Sequence, residues 1–380
     1  QLLWKDQTIG DGFSAVMVAD GTVYVTGKHH DDGEKNGYLS AFTLDGTLKW
    51  KKKYGPETST GRFEGPRATP QLVSGSIYLV SGKGVLYAMD AQTGEMNWSV
   101  DLRERYGLQV PGWGYNETPL VVDNKLVMSI RRGEVSLVAV DADTGQTVWT
   151  TPQPESAYAC GDSSAILVDL PQADIIFHHL WHAAVALDPD TGAVLWQIKT
   201  KHGSQLTPVH NEGCLFMATG TDKSYRMLQF ADDGREFKEL WRRQDIQPIS
   251  QAVFLNDMLF VFGRERTPED KEGRSRKRNE PALLCFDVKT GDLIKQQVVM
   301  EGNGSLIAAD GKLYCVEGAE RHWKTPLISL VEPTDGGFEL VGRFTPEVGT
   351  KECYVNVTLH NGRMFHRHGR LLAVYDVRAR

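Results

Sequence analysis

A short segment that recurs about every 48 residues constrains this chain more than any other feature. Nearly complete copies run over Tyr87–Trp98, Val138–Trp149 and Val185–Trp196, each with the pattern Ala-x-Asp-x-x-Thr-Gly-x-x-x-Trp. Weaker copies lie at Leu284–Lys295, where Lys295 replaces the Trp, and at Ser40–Trp50, where the turn is shorter. A repeat of this length is typical of solenoids and propellers, in which each copy is one supersecondary unit.

The residues before each copy indicate two further strands joined by a tight turn. Alternating apolar runs flank Asp20-Gly21, Asp310-Gly311 and Asn361-Gly362. Asp-Gly and Asn-Gly between such runs are the strongest short-range hairpin signals, because both residues tolerate positive φ. Each repeat is therefore predicted to form four short antiparallel strands, A to D, with the Asp-Thr-Gly turn between C and D.

The tryptophans set the number of repeats. They mark six D strands at intervals of 45 to 51 residues, and the remaining chain has room for two unmarked ones; the marked positions are Trp4, Trp50, Trp98, Trp149, Trp196 and Trp241. The last repeat supplies only three strands, and Gln1–Lys5 resembles a fourth strand without the preceding three. The sequence thus predicts an all-β, eight-bladed β-propeller closed by the N-terminal strand joining the C-terminal blade. It forms one domain, 1–380, with approximate blades 6–50, 51–98, 99–149, 150–196, 197–241, 242–296, 297–344 and 345–380 plus 1–5.

Composition excludes several classes of protein. A net charge of −7 disfavours nonspecific nucleic-acid binding, which needs a basic surface. No apolar stretch is long enough for a membrane span. The five cysteines are widely spaced without a CxxC motif, which favours small buried side chains over a disulfide or metal framework. The chain begins at Gln1, so we expect an exported protein, periplasmic or extracellular, with its signal peptide removed; an artificial start point would look the same.

The repeat pattern resembles that of the pyrroloquinoline quinone (PQQ) repeat superfamily, which includes quinoprotein alcohol dehydrogenases and outer-membrane assembly lipoprotein propellers. Gly12–Val16 and Trp113–Pro119 are similar to bacterial PQQ-like propellers, some of them labelled polyvinyl-alcohol dehydrogenases. The resemblance covers all eight repeats. It implies the propeller fold, and the name of the repeat does not show that a quinone binds. The vicinal Cys–Cys pair of the quinoprotein enzymes has no counterpart here, nor do their Glu, Asn and Asp ligands for Ca²⁺. PQQ with Ca²⁺ is therefore possible as a cofactor but has no supporting motif.

Propeller topology divides the loops between two faces. D–A and B–C loops open on one face, which we call the loop face, and the tight A–B and C–D turns lie on the other. The loop face is predicted to include 28–36, 55–65, 106–115, 178–182, 219–226, 264–280, 317–325 and 366–369. Nine of the eleven histidines fall in or beside these loops: His29, His30, His178, His179, His182, His202, His322, His366 and His368. Binding residues often lie on loops held by a rigid scaffold, although loops are polar in any case.

Polar residues also begin the A strands, which line the central channel. A solvated funnel explains many of them, but charged members such as Arg67, Glu117 and Asp162 are able to converge on an anion, a metal or a sugar. The candidate ligand-binding residues are Arg67, Trp113, Tyr115, Asn116, Glu117, Asp162, His182, His202, Gln205, Gln251, Asn303, Trp323 and His366. His178, His179 and His182 are weak metal candidates, because tight zinc sites draw ligands in defined geometry from separate elements.

The leading hypothesis is an exported, non-catalytic, monomeric propeller that binds a ligand, such as a carbohydrate or other small molecule, or a protein partner on the loop face. The chain carries a complete structural repeat and no recognisable catalytic motif. Two alternatives remain: a PQQ-dependent dehydrogenase or a His- or metal-assisted polysaccharide-active enzyme, and a scaffold in a cell-envelope complex.

Overall fold

A computed structural model describes residues 1–29, 35–58, 64–154, 163–200, 204, 206–218, 224–266, 281–299, 304–318, 326–349 and 356–378. Within these ranges, eight antiparallel sheets of four strands each account for nearly all the regular structure, and one helical turn is present. The protein is an all-β, eight-bladed propeller, as the repeat predicted. The blades fall into two compact units: residues 1–165 with 347–380, and residues 166–346.

Unit 1 contains four blades. Blade 1 consists of β2 (Met17–Ala19), β3 (Thr22–Lys28), β4 (Asn36–Thr43) and β5 (Leu48–Pro56); blade 2 of β6 (Gln71–Val73), β7 (Ser76–Val80), β8 (Val85–Asp90) and β9 (Met96–Asp101); blade 3 of β10 (Leu120–Val122), β11 (Lys125–Ser129), β12 (Val135–Asp141) and β13 (Thr147–Pro152). Blade 8 combines β30 (Thr358–His360), β31 (Arg363–His368) and β32 (Leu371–Asp376) with β1 (Leu2–Asp6). Helix α1 (Leu102–Tyr106) follows β9.

Unit 2 contains the other four blades. Blade 4 consists of β14 (Ile166–Val168), β15 (Ile175–His179), β16 (Ala183–Leu187) and β17 (Val194–Lys199), and blade 5 of β18 (Val209–Asn211), β19 (Cys214–Ala218), β20 (Tyr225–Phe230) and β21 (Phe237–Arg243). Blade 6 consists of β22 (Ile246–Leu255), β23 (Met258–Glu265), β24 (Ala282–Asp287) and β25 (Leu293–Gln297), and blade 7 of β26 (Gly304–Ala309), β27 (Lys312–Glu317), β28 (Ile328–Thr334) and β29 (Gly337–Phe344).

The two ends of the chain share blade 8. Strand β1 pairs antiparallel with β32, with Trp4 opposite Val374, and the amino group of Gln1 donates to the carbonyl of Asp376 at 3.0 Å. The predicted closure by the N-terminal strand is therefore confirmed. Pairing the first strand with the last removes two exposed edges that a linear array of blades would leave open to aggregation.

The repeated Asp-Thr-Gly turn has a structural role. In blade 2, Asp90 Oδ1 accepts from the Thr93 amide at 2.7 Å and from its hydroxyl at 2.8 Å, and Gly94 takes a φ of 71°. The amide of Thr93 holds the pKa of the Asp90 carboxyl below its usual value. A side-chain acceptor and a residue that tolerates left-handed φ are what this tight C–D connection requires.

The repeat tryptophans connect neighbouring blades within each unit. Trp4 Nε1 donates to Leu44 O at 2.9 Å and Trp98 Nε1 to Ala142 O at 3.0 Å in unit 1. Trp241 Nε1 donates to Val288 O at 2.8 Å in unit 2. Each indole thus packs on the C–D turn of the next blade and satisfies one of its carbonyls. Lys295 fills the same slot: its ammonium lies 5.0 Å from the centre of the Phe338 ring and donates to the Phe338 carbonyl.

Candidate functional site

One part of the loop face lies in unit 1, between blades 2 and 3. Three segments meet there: the blade 2 B–C turn (residues 81–84), the blade 3 B–C turn (residues 130–134), and residues 107–116 after α1, which we call the Trp113 loop. The B–C turns lie at one end of each antiparallel sheet, opposite the Asp-Thr-Gly turns. The Trp113 loop is held between the two turns.

Helix α1 directs the chain into this loop. Asp101 caps its N-terminus by accepting from the amides of Arg103 and Glu104, and Gly107 ends it with a φ of 72°. An Asp N-cap and a Gly in the left-handed region are the usual signals for a short helix. The helix was not predicted, because a single turn has no apolar period to recognise.

Backbone hydrogen bonds fix both ends of the Trp113 loop. Gln109 N donates to Arg131 O at 2.9 Å, and Tyr115 N donates to Gly82 O at 2.9 Å. Between these anchors, Gly114 N donates to Pro111 O at 2.9 Å to close a tight turn. The loop thus bridges the two B–C turns.

The tip of the loop exposes Trp113. Its side chain is 41% exposed, whereas Leu108, Pro111 and Tyr115 of the same loop are buried. Gly114 has a φ of 96°, and a Cβ built there would lie 2.4 Å from Thr58 Oγ1. Only glycine fits this close approach to Thr58, which follows β5, the outer strand of blade 1. The loop therefore packs against blade 1 with its indole at the surface.

Glu117 lies beneath the loop and is 1% exposed. Its Oε2 accepts from the Tyr115 hydroxyl at 2.7 Å, from the Ser129 amide at 3.0 Å and from the Ser129 hydroxyl at 2.5 Å. Tyr115 also donates to Ser129 O at 2.9 Å. Two predicted ligand-binding residues, Tyr115 and Glu117, therefore join the start of the A strand to the end of the B strand in blade 3.

A second buried carboxylate, Glu57, has a similar role at the junction of blades 1 and 2. It accepts from the Tyr54 hydroxyl at 2.8 Å and from the amides of Thr58 and Gly82 at 2.9 and 3.0 Å. Burial raises the pKa of the Glu57 carboxyl, although these hydrogen bonds act in the opposite direction. Glu57 thus holds the same turn, residues 81–84, that anchors the Trp113 loop.

A third buried group joins blade 8 to blade 1. Arg367 is 1% exposed, and its guanidinium donates to the hydroxyl of Ser14 at 2.6 Å and to the carbonyls of Ser14, Gly10 and Gly369. Asp11, fully buried, accepts two hydrogen bonds from Arg370 at 3.0 and 3.1 Å. Sequence reasoning missed Arg367 and Asp11, since nothing in the local sequence distinguishes a buried charge from a surface one.

Arg67 and Asn116 occupy equivalent positions at the start of neighbouring A strands. The Arg67 guanidinium lies 5.3 Å from the ring centre of Phe13, which holds the same position in blade 1. Asn116 is partly buried. Arg67, Asn116 and Glu117 thus occupy neighbouring positions, and Glu117 accepts its hydrogen bonds within its own blade. Their convergence on a ligand stays a prediction.

The histidines differ from their predicted placement. His178 and His179 end β15, and His366 and His368 lie in β31; all four are buried, because these B strands extend further than predicted. Burial lowers the pKa of His366 to about 4. His182 is partly exposed in the turn after β15. Consecutive strand residues point to opposite faces, so His178 and His179 diverge.

Other candidates are placed elsewhere or not at all. Gln251 is partly buried in β22 of unit 2. Asp162, His202, Gln205, Asn303 and Trp323 lie outside the described residues.

The described residues do not fit a Ca²⁺–quinone site. The two buried carboxylates near the Trp113 loop, Glu57 and Glu117, accept hydrogen bonds from their own blades. Within the described ranges, no three His, Cys, Asp or Glu side chains are close enough to hold a metal ion, and His178, His179 and His182 form no such group. The described cysteines, Cys214, Cys285 and Cys315, are free thiols buried in unit 2. Among the described helices, none is long and apolar enough to cross a membrane.

Comparison with known proteins places these features in a family. Residues 35–297 match the PQQ_2 model, described as outer membrane protein assembly factor BamB. The BamB of Yersinia pestis is 24% identical over 70% of this chain and 63% of its own length, and the polyvinylalcohol dehydrogenase of a Pseudomonas species is 31% identical over 41% of this chain and 27% of its own. The chain thus spans less than two thirds of these relatives.

A solved structure extends the likeness to the whole chain. BamB from Moraxella catarrhalis superposes with a TM-score of 0.66 at 13% identity, covering 98% of this chain and 96% of its own, which is a likeness of fold. The family model covers well over half of the chain. The chain therefore belongs to the PQQ_2 family of BamB-like propellers.

Proposed function

We propose that this protein is a non-catalytic component of a cell-envelope assembly and binds a protein partner through the Trp113 loop. The observation that carries the proposal is an exposed indole on a loop whose two ends are fixed by hydrogen bonds to neighbouring turns. Tryptophan is enriched among the residues that dominate binding energy at protein interfaces. A loop already ordered in the free protein loses little conformational entropy on binding.

The buried carboxylates Glu57 and Glu117 support a structural role for the region around the loop. Each accepts several hydrogen bonds within the fold. A general acid or base must reach a substrate proton. Carboxylates that are buried and hydrogen-bonded within the fold instead stabilise the conformation of the loops. A binding scaffold requires such ordered loops.

The family supports the class of partner. The matching model and the Yersinia pestis relative are both described as outer membrane protein assembly factors. By analogy we propose a periplasmic, monomeric propeller within a complex of envelope proteins.

Site-specific crosslinking tests the proposal. A photoreactive amino acid replaces Trp113 in the full chain, and Val148, 48% exposed in the same unit but next to a C–D turn, serves as the matched control position. We expect a discrete crosslinked protein from envelope extracts at position 113 and none at 148. Equal products at both positions, or a crosslink only to glycan, would contradict a protein-binding loop.

Two relatives, described as a polyvinylalcohol dehydrogenase and a quinohemoprotein alcohol dehydrogenase, favour one second candidate, a quinone-dependent oxidoreductase. Purified protein mixed with PQQ, Ca²⁺, an alcohol panel and an artificial electron acceptor separates the two functions. The binding proposal expects no turnover and no change in the quinone absorbance. Turnover that requires PQQ would replace it with the enzyme.

A further inference from the structure

Cations flank the Trp113 loop on both sides. The blade 2 turn contributes Lys83, and the blade 3 turn contributes Arg131 and Arg132. The loop backbone is bonded to the residue next to Lys83 and to Arg131 itself. Since the loop is bonded to both turns, we group these three cations with Trp113 and call the set the Trp113 surface.

Two of these cations have no carboxylate partner. Lys83 and Arg131 are partly buried, and neither forms an ion pair within the part of the chain that the structure describes. Arg131 Nη1 donates to the Gln109 carbonyl at 3.3 Å instead. Several other surface cations of unit 1 do pair with carboxylates: Lys5 with Glu347, Lys52 with Glu95, Arg103 with Asp101 and Arg378 with Asp376.

Partial burial matters for what the two cations bind. A cation that has already lost part of its hydration, and that no internal carboxylate neutralises, gains more from an incoming anion than a fully hydrated one does. The exposed indole beside them offers an apolar contact. The combination suits a ligand that presents carboxylates and an apolar side chain together.

Resting on the proposed function, we propose that the Trp113 surface binds an acidic, extended segment of the partner protein, with its carboxylates at Lys83 and Arg131 and an apolar side chain against Trp113. The charge of the whole chain favours a short segment over an anionic membrane. With a net charge of −7, the protein is repelled by an extended anionic surface. A short peptide responds mainly to charges within about 8 Å, the Debye length at physiological salt, and the two turns beside the loop carry three cations against one carboxylate, Glu134. A neutral glycan would contact the indole but would offer no negative charge to the cations.

Fluorescence anisotropy with defined probes tests this. The probes are a labelled twelve-residue peptide of alternating Glu and Leu, its Gln and Lys counterparts, a neutral chitin oligosaccharide, and phosphatidylglycerol vesicles in a sedimentation assay. We expect only the Glu peptide to bind, with affinity falling as salt rises. Lys83→Glu and Arg131→Glu each weaken binding at least about tenfold, and Trp113→Ala does the same.

Matched variants control for net charge and folding. Lys49→Glu changes the charge by the same amount on the exposed side of β5, and Val148→Ala removes an exposed apolar side chain; both retain binding. Lys83→Gln, a milder change, weakens binding less than Lys83→Glu if charge is the cause. Equal binding of the Glu and Gln peptides, preference for vesicles or glycan, or an equal loss with Lys49→Glu would overturn the acidic-segment proposal.

The crosslinking experiment separates the two proposals. If Lys83→Glu leaves the crosslink at position 113 intact while the Glu peptide fails to bind, the protein-binding function stands and the acidic chemistry is wrong. If no crosslink forms at position 113 in any background, the proposed function itself fails.

Discussion

The guanidinium of Arg367 and the hydroxyl of Ser14, 353 positions apart in sequence, lie 2.6 Å from each other in the buried junction between blade 8 and blade 1. Ser14 also lies 2.7 Å from the Thr26 hydroxyl. This contact connects β31, the B strand of blade 8, to the segment that precedes β2, the first A strand. The closure of the propeller therefore depends on a polar network as well as on the β1–β32 ladder.

Replacing Arg367 with Met tests that network. The carbonyls of Gly10, Ser14 and Gly369 would lose their donor inside the protein, so we expect a loss of about 3 kcal/mol in the free energy of unfolding. Urea denaturation followed by circular dichroism measures it. Arg378→Met, at a surface residue, is the control and should cost less than about 0.5 kcal/mol. Equal losses in both variants would show that the buried guanidinium is not special.

Gly114→Ala should disturb the Trp113 loop without unfolding the blade. A Cβ there meets Thr58 Oγ1 at 2.4 Å and needs a φ of 96°, which costs on the order of 1–3 kcal/mol locally. Gly112→Ala is the matched control, because no atom lies within 4 Å of a Cβ built at that position. Limited proteolysis should cleave the loop faster in Gly114→Ala alone. Unchanged cleavage would mean that the loop is not held as described.

The repeat tryptophans should show separable contributions of ring and N–H. Trp98→Phe keeps an aromatic plate but loses the donation to Ala142 O, so we expect a cost of about 1 kcal/mol. Trp98→Ala also opens a cavity and should cost about 3 kcal/mol or more. Thermal denaturation provides the comparison, and Trp113→Phe at the surface should leave the melting temperature nearly unchanged. A large drop for Trp113→Phe would place that indole in the core instead.

His366 should make the protein less stable in mild acid. Its pKa falls from 6.5 to about 4 in the folded state, because burial disfavours the charged imidazole. The unfolded chain then binds more protons between these values, so the contribution of this group is intact above pH 6.5 and is lost as the pH falls towards 4.

The corresponding variant is His366→Gln, which does not titrate. Between pH 7 and pH 4.5, we expect the free energy of unfolding of the native protein to fall by about 2 kcal/mol more than that of the variant. Urea titrations at several pH values measure the difference. Parallel curves for the two proteins would assign the acid sensitivity to other groups.

The repeat allowed the fold to be predicted well, because each blade carries its own signals. Asp90, Thr93 and Gly94 fix a turn locally, and Trp98 marks a D strand whose indole donates to Ala142 O, one repeat away. The candidate site was predicted less completely. Trp113 and its loop were identified from the sequence, but His366 and His178 proved to be buried in strands, since the sequence does not reveal how far a B strand extends.

The period, the turn chemistry and the number of blades follow from the amino-acid sequence, because hydrophobic alternation and turn residues act over a few positions. Which polar residues become internal hydrogen-bond partners and which stay at the surface depends on how the blades pack. In the sequence, Glu117 and Lys83 are both charged residues near predicted loops, and nothing there indicates which one is buried. Glu117 turns into blade 3, where the amide and hydroxyl of Ser129 satisfy it, whereas Lys83 remains beside Trp113 without a carboxylate partner in the described chain. That difference depends on which backbone donors lie within about 3 Å after packing, a distance that no local pattern encodes.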